Sequence, residues 1–163
     1  MSVFKTTFSR ALAVIPTDNA NVPYPAPSAS GTNTSVTVAS LIDSSATFNT
    51  KNIKTGDIVY NTTDGTAATV LVVVSQTSLL LNADIFTATA KAYVVYQASS
   101  QTSNGNPGCF LYIGGAGNVK VTTIGQDVVT FTAVPVGTVL PVQVVKVHSS
   151  GSGTTATLIN ALW

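Results

Sequence analysis

Apolar and polar positions in this chain alternate with a period of two. In "NVKVTTIG" (118–125), Val119 and Val121 fall on one side, Lys120 and Thr122 on the other. In "VVTFTAV" (128–134), Val129, Phe131 and Ala133 oppose Val128, Thr130 and Thr132. That alternation belongs to strands with one face in a core and one wetter face. No window of helical length repeats apolar residues at i, i+3, i+4 and i+7. Short runs rich in Val, Thr, Ile and Tyr predict strands near 35–41, 57–61, 67–74, 78–81 and 92–97. Further strands are predicted near 109–113, 119–124, 128–133, 141–147 and 157–162. The Asp-Gly pair of "NTTDGT" (61–66) is a hairpin signal, and "SSGSGTT" (149–155) is a flexible link between the last two strands. Short polar turns imply mostly antiparallel pairing. The apolar run 69–74 is expected to be covered on both faces, since an open apolar edge invites aggregation.

Two stretches read as linkers: the Pro-rich "PYPAPSASGTNT" (23–34) and the polar "QASSQTSNGNPG" (97–108). They separate an N-terminal arm, a middle module and a C-terminal third. The arm is either a free tail or a part of the C-terminal third, completing one domain interrupted by another. The fold class expected is all-β: two small antiparallel modules of barrel or sandwich type, one inserted in the other.

Composition narrows the functional classes. The 163 residues suffice for one domain or two small ones without staples. Charged residues make up 8%, against roughly 25% in typical soluble domains, and glutamate is absent. A formal net charge of +1 supplies no field to attract nucleic acid, acidic lipid or a charged substrate. So few charges favour association with other protein. The single cysteine, Cys109, excludes an internal disulfide and lies in an apolar run that predicts burial. The five-residue apolar core "ALAVI" (11–15), stopped by Pro16, is too short for a secretory signal. "AATVLVVV" (67–74) is far short of a helical membrane span.

The words "LYIGGAGNVKVTT" (111–123), "VTFTAVPVGTVLPVQVVKV" (129–147) and "GTTATLINALW" (153–163) resemble structural proteins of tailed-phage particles, of the head-decoration and spike-base type. In that family an N-terminal "SRALAVTPSD"-like strand commonly precedes such a pattern closely. Here "SRALAVIPTDNANVP" (9–23) is separated from it by the whole middle module. The middle "GDIVYNTTDGTAATV" (56–70), followed by "ADIF" (83–86), is similar to forms found in marine and cyanobacterial phage virion proteins. The family's acidic residue near the end is missing, for Leu158, Ile159 and Asn160 stand there. The resemblance implies an outer β-sandwich domain of residues 1–27 plus 105–163, carrying the arm, and an inserted barrel-like module of residues 28–100. It implies a capsid decoration or cement protein on the virion surface, with the major capsid protein and its own copies, a trimer being favoured, as partners. A further virion protein is another partner to consider. The alternatives are a head-spike or fibre base, or a carbohydrate-binding host-attachment module. No enzymatic activity, cofactor, metal, nucleic acid or membrane is expected.

Candidate chemistry is sparse. Cys109 and His148 could form a nucleophile–base pair, but no motif surrounds either. Asp57, Asp64 and Asp84 lack the alternate spacing of a calcium loop. "GGAG" (114–117) lacks the Lys-Ser/Thr and helix start of a phosphate loop and reads as a β-turn. Lys5 and Arg10 are too few for nucleic-acid binding. The interface candidates are Tyr24 and Pro25, in a polyproline-like segment that is either a docking arm or a rigid linker, and Trp163. As the sole tryptophan, Trp163 should pack in the core or at an interface.

Overall fold

The structure, a computed structural model, describes residues 7–98 and 108–163. It is all-β, with two antiparallel six-stranded sheets and no α-helix among the described residues. In chain order the strands are β1 (Ala11–Ala13), β2 (Pro27–Thr32), β3 (Ser40–Ile42), β4 (Ile58–Asn61), β5 (Thr66–Ser75) and β6 (Ser78–Leu81). They continue as β7 (Ala92–Tyr96), β8 (Cys109–Gly115), β9 (Gly117–Thr123), β10 (Val128–Val134), β11 (Thr138–Val147) and β12 (Thr157–Leu162). The first sheet has the order β1-β12-β8-β11-β9-β10, and the second β2-β7-β4-β5-β6-β3. The second sheet is thus drawn entirely from chain lying between two strands of the first.

In the first sheet, Ala11, Leu12 and Ala13 pair with Leu162, Ala161 and Asn160. Only Ala116 separates β8 from β9, and both run antiparallel to β11, one on its first half and one on its second. The chain therefore turns at "GGAG" and flanks β11 on both sides. A Cβ on Gly117 would lie 2.5 Å from the Ala156 nitrogen, so the bend requires a residue without a side chain. Strand β11 begins at Thr138, before Pro141, where the sequence places its start at 141. The register shift between Leu140 and Val144 spans Pro141, because a residue without an N–H is tolerated where the ladder is already broken. Leu111, Ile113, Val119, Val121, Val144 and Ile159 fill the core.

The second sheet curls nearly into a barrel. Ser35 bridges Ile42, and the Thr34 N–H donates to Ile42 O (2.8 Å), bringing the chain beyond β2 back to β3. Its core is built on Leu41, Phe48, Val59, Val70, Phe86 and Tyr93. The Asp-Gly hairpin joins β4 to β5, with Gly65 at φ +66°. Buried Asn61 holds that turn by accepting the N–H of Thr63 and Asp64 on Oδ1 (both 3.1 Å).

Three expectations are corrected. Segment 23–34 is not all linker: Pro27–Thr32 forms β2. Small residues hide a strand from apolar periodicity, and Pro is compatible with the first position of an edge strand. Segment 35–41 is not one strand: Ser35 makes a single bridge, and Ala39 at φ 51° turns the chain before β3, leaving Val36 and Val38 exposed. In the run 69–74, Val70 is buried and Val73 packs against the second core, but Leu71, Val72 and Val74 are exposed within this chain. There β5 extends past its pairing with β4 in a three-stranded ribbon with β6 and β3.

A third apolar cluster joins the two sheets. Ala20, Ile58, Tyr60, Ala67 and Tyr96 are buried together, with Leu12, Ile15 and Val94 packed against them. This explains why all of β4 is buried: Val59 faces the second core, while Ile58 and Tyr60 face the arm.

Candidate contact surface

Cys109, His148, Asp57, Asp64 and Asp84 each have a local partner. Cys109 is buried, donates to Val144 O (3.4 Å), and burial pushes its thiol up to about 12. His148 is engaged elsewhere: Nδ1 meets Asp18 Oδ1 (2.8 Å) and Nε2 meets Thr122 Oγ1 (2.9 Å). The structure therefore gives Cys109 and His148 separate partners rather than pairing them. Asp57 accepts the N–H of Lys54 (2.8 Å) and Ala98 (3.0 Å), Asp64 pairs with Lys91 (2.8 Å), and Asp84 accepts the Ala39 N–H (3.2 Å). Burial raises the Asp57 carboxyl, and the Lys91 hydrogen bond lowers that of Asp64. No group of three metal-ligating side chains forms among the described residues.

Asp18 is a cluster that sequence reading missed. Its Oδ2 accepts the hydroxyls of Ser149 and Ser152, the latter at 2.7 Å, and its backbone O accepts Lys146 Nζ (3.1 Å). The bonds from Ser149, Ser152 and His148 hold the carboxyl well below the usual carboxylate range. The Asp–His–Thr chain has the connectivity of a proton relay. Thr122, however, lies within β9, and neither Thr122 nor His148 lines a described groove. The cluster latches the arm: the turn after β11 folds over Asp18 while the Thr17 N–H donates to Val147 O (2.9 Å). Its only signal in the sequence was the pairing of "PTDNA" with "HSSGSG", which no local pattern relates.

Tyr24, Pro25 and Trp163 meet around Arg10. The Tyr24 and Trp163 rings pack edge-on with centroids 5.3 Å apart. The Arg10 guanidinium lies 5.3 Å from the Tyr24 centroid, and its Nη1 donates to Pro25 O (2.9 Å). Trp163 is fixed through its backbone as well: its O accepts the Ser9 N–H (2.6 Å) and its N–H donates to Arg10 O (3.0 Å). The indole Nε1 is buried without a hydrogen-bond partner.

The last strand carries the least expected feature. On its inner side Ile159 and Ala161 are buried, whereas Leu158 is 74% exposed. Leu158 also holds φ at 51°, a left-handed conformation rare for a bulky residue. The ladder runs from Thr157↔Gly115 to Ile159↔Ile113, which sets Leu158 opposite Gly114. A Cβ on Gly114 would lie 2.9 Å from that of Leu158, so the glycine makes room for the leucine. Two residues along the same face of β8, half-exposed Tyr112 lies beside Val139 of β11 and Asn160 of β12. Val139 is exposed too, as is Val136 in the preceding turn. The outer side of β12-β8-β11 is therefore apolar, open and uncharged, and it displays a leucine in a strained backbone. Two apolar faces on 157–163 suggest burial on both sides; within this chain only the inner one is covered.

No protein-family model matches the chain, and no curated protein or solved structure matches it.

Proposed function

We propose that this chain is a virion structural protein that decorates a tailed-phage capsid, binding the outer surface of the shell and bridging its subunits. The resemblance of 111–163 to phage head proteins motivates the reading, and one observation carries it: Leu158, exposed and strained, on an apolar and uncharged sheet face. Backbone strain persists where the surroundings over-determine it and concentrates at contact and functional sites. Open apolar patches of this kind mark protein–protein contacts. Identical copies, a trimer at a three-fold position, each engage several subunits of the major capsid protein, so modest contacts add through effective concentration. The outer domain formed by the arm and the C-terminal third faces the shell, and the inserted module projects from it. With a net charge of +1, the attachment is apolar rather than steered by charge.

The test is reconstitution on undecorated shells. Wild-type protein should bind, resist a high-salt wash and raise the temperature of shell opening, while Leu158→Asp should not bind. Binding that is abolished by salt, or unchanged in Leu158→Asp, overturns the reading. Copy number then separates cement from a spike or fibre base: occupancy of the shell's quasi-equivalent positions indicates cement, occupancy of the vertices alone a base.

A further inference from the structure

Strand β2 has one side unused. Register sets Ala29 opposite Val95 and Gly31 opposite Tyr93, and the Asn33 N–H donates to Lys91 O (3.0 Å). Antiparallel alternation then turns the backbone of Ala29, Gly31 and Asn33 toward β7, and that of Ser30 and Thr32 away from it. On this edge strand the N–H groups of Ser30 and Thr32 have no partner among the described residues. They recur every second residue, about 6.6 Å apart, which is the spacing of a ladder.

These groups face a groove. From the junction of Thr34 with Ile42 the two edges of the second sheet diverge. The gap, of about 610 Å³, is lined along one wall by β2 and along the other by Asp43, Ser45, Thr47 and Lys51. Its floor is fixed: Asp43 accepts the Tyr93 hydroxyl on Oδ2 (2.7 Å) and the Ser45 N–H on Oδ1 (2.8 Å). A Cβ on Gly31 would fall 2.6 Å from that Oδ2, so the glycine lets the floor rise against the strand. The small side chains of "PSASGT" leave the backbone of β2 accessible. At the mouth, Lys51 is exposed and forms no ion pair; among the described residues only Lys91 and His148 do so.

We infer that this seam is an acceptor site for an extended, acidic polypeptide segment of a partner protein, which adds to β2 as a further strand. Main-chain hydrogen bonds to Ser30 and Thr32 supply affinity, and Lys51 selects a carboxylate. A saccharide fits less well, because the lining's sole aromatic ring, Tyr93, is 2% exposed and offers no face for stacking. The inference stands on the seam alone and holds whether or not the outer face of the first sheet binds a shell.

The probe is a display library of random heptapeptides with blocked ends, selected against the full chain. Acid-bearing sequences should be enriched. A resynthesised, fluorescein-labelled winner should bind Ser30→Pro about tenfold more weakly, the loss of one hydrogen bond, as read by anisotropy. Proline is tolerated at this position because the N–H it removes points away from β7. Lys51→Glu, a surface change that leaves the fold intact, should lose the acidic winners to a similar extent and retain basic peptides instead. Absence of acidic enrichment overturns the inference, as does a winner that binds both variants like wild type. So does an oligosaccharide panel in which a sugar, and no peptide, binds with sensitivity to Ser30→Pro.

Discussion

Replacing Leu158 by alanine and by glycine should reverse the usual order of stability. At an ordinary strand position glycine is less stable than alanine by about 0.5–1 kcal/mol, because its unfolded chain is freer. Leu158 holds φ at 51°, where a Cβ crowds the carbonyl oxygen and costs about 1–2 kcal/mol. Alanine keeps that strain and glycine releases it, so Leu158→Gly should be as stable as Leu158→Ala or more so, by up to about 1.5 kcal/mol. Both variants forfeit the buried fraction of the leucine. At 74% exposure that is about a quarter of the 1.5–3 kcal/mol of full burial, or roughly 0.5 kcal/mol. Relative to wild type, Leu158→Gly should therefore be near neutral. Urea melts followed by the fluorescence of Trp163 measure the order, provided the denaturant slope is unchanged. Shell binding should fall in both variants, since both lose the projecting side chain. If Leu158→Gly melts below Leu158→Ala by the ordinary margin, the leucine is not strained. If both bind shells like wild type, the outer face is not the contact.

Trp163→Ala should lower stability by about 2–3 kcal/mol, below the 3–5 of a fully buried aromatic because the ring is half-buried, with thermal melting as the measure. Trp163→Phe should stay within about 1 kcal/mol of wild type, since it gives up area but also removes a buried N–H that has no partner. Asp18→Asn should remove part of the acid sensitivity. The folded carboxyl of Asp18 lies below its unfolded value of about 3.9, so its stabilisation is present above that pH and lost as pH falls through the folded value. Urea melts at neutral and acidic pH should show a smaller acid-side loss in the variant, and equal losses would contradict the latch. Cys109 should resist alkylation in the native state at mildly alkaline pH and react once the chain unfolds, because its thiol is buried and raised to about 12; mass spectrometry of the labelled protein reads this directly.

The all-β class was legible because alternation is a local property. Val119 and Val121, on one side of "NVKVTTIG", are both fully buried. The Asp-Gly hairpin was legible for the same reason. Strand β2 was not, because Ser, Ala and Gly carry no apolar signal; it is a strand through its ladder to β7. The same small residues that concealed it make it accessible as an edge. Leu158 illustrates a different limit. Period-two reading puts it on an outer apolar face, but its left-handed backbone depends on Gly114 across the ladder, a relation no local window contains. The Asp18 latch joins residues 128 to 134 positions apart, and only the folded chain brings them together.

The arm is what makes the two sheets one body. Thr17 and Val22 donate their N–H groups to Val147 and Val145 of the first sheet (both 2.9 Å). Between them, Asn19 O accepts Thr69 Oγ1 (2.8 Å) and Asn82 Nδ2 (2.7 Å) from the second. Under the same segment, Leu12 and Ile15 pack on Ile58 and Tyr60. The polar contacts fix orientation and the apolar ones supply most of the free energy, since burial is not directional whereas hydrogen bonds are. Detaching the arm would therefore do more than loosen a tail: Tyr60, whose phenol is raised by burial, would gain water, and β4 would lose one of its two apolar faces. A load applied at the outer face of β12 passes through the β1–β12 ladder into this arm and on to the inserted module. If that face is anchored on a shell, the seam beside β2 is held by a continuous path of packed and hydrogen-bonded residues, as a mounting for a second partner requires.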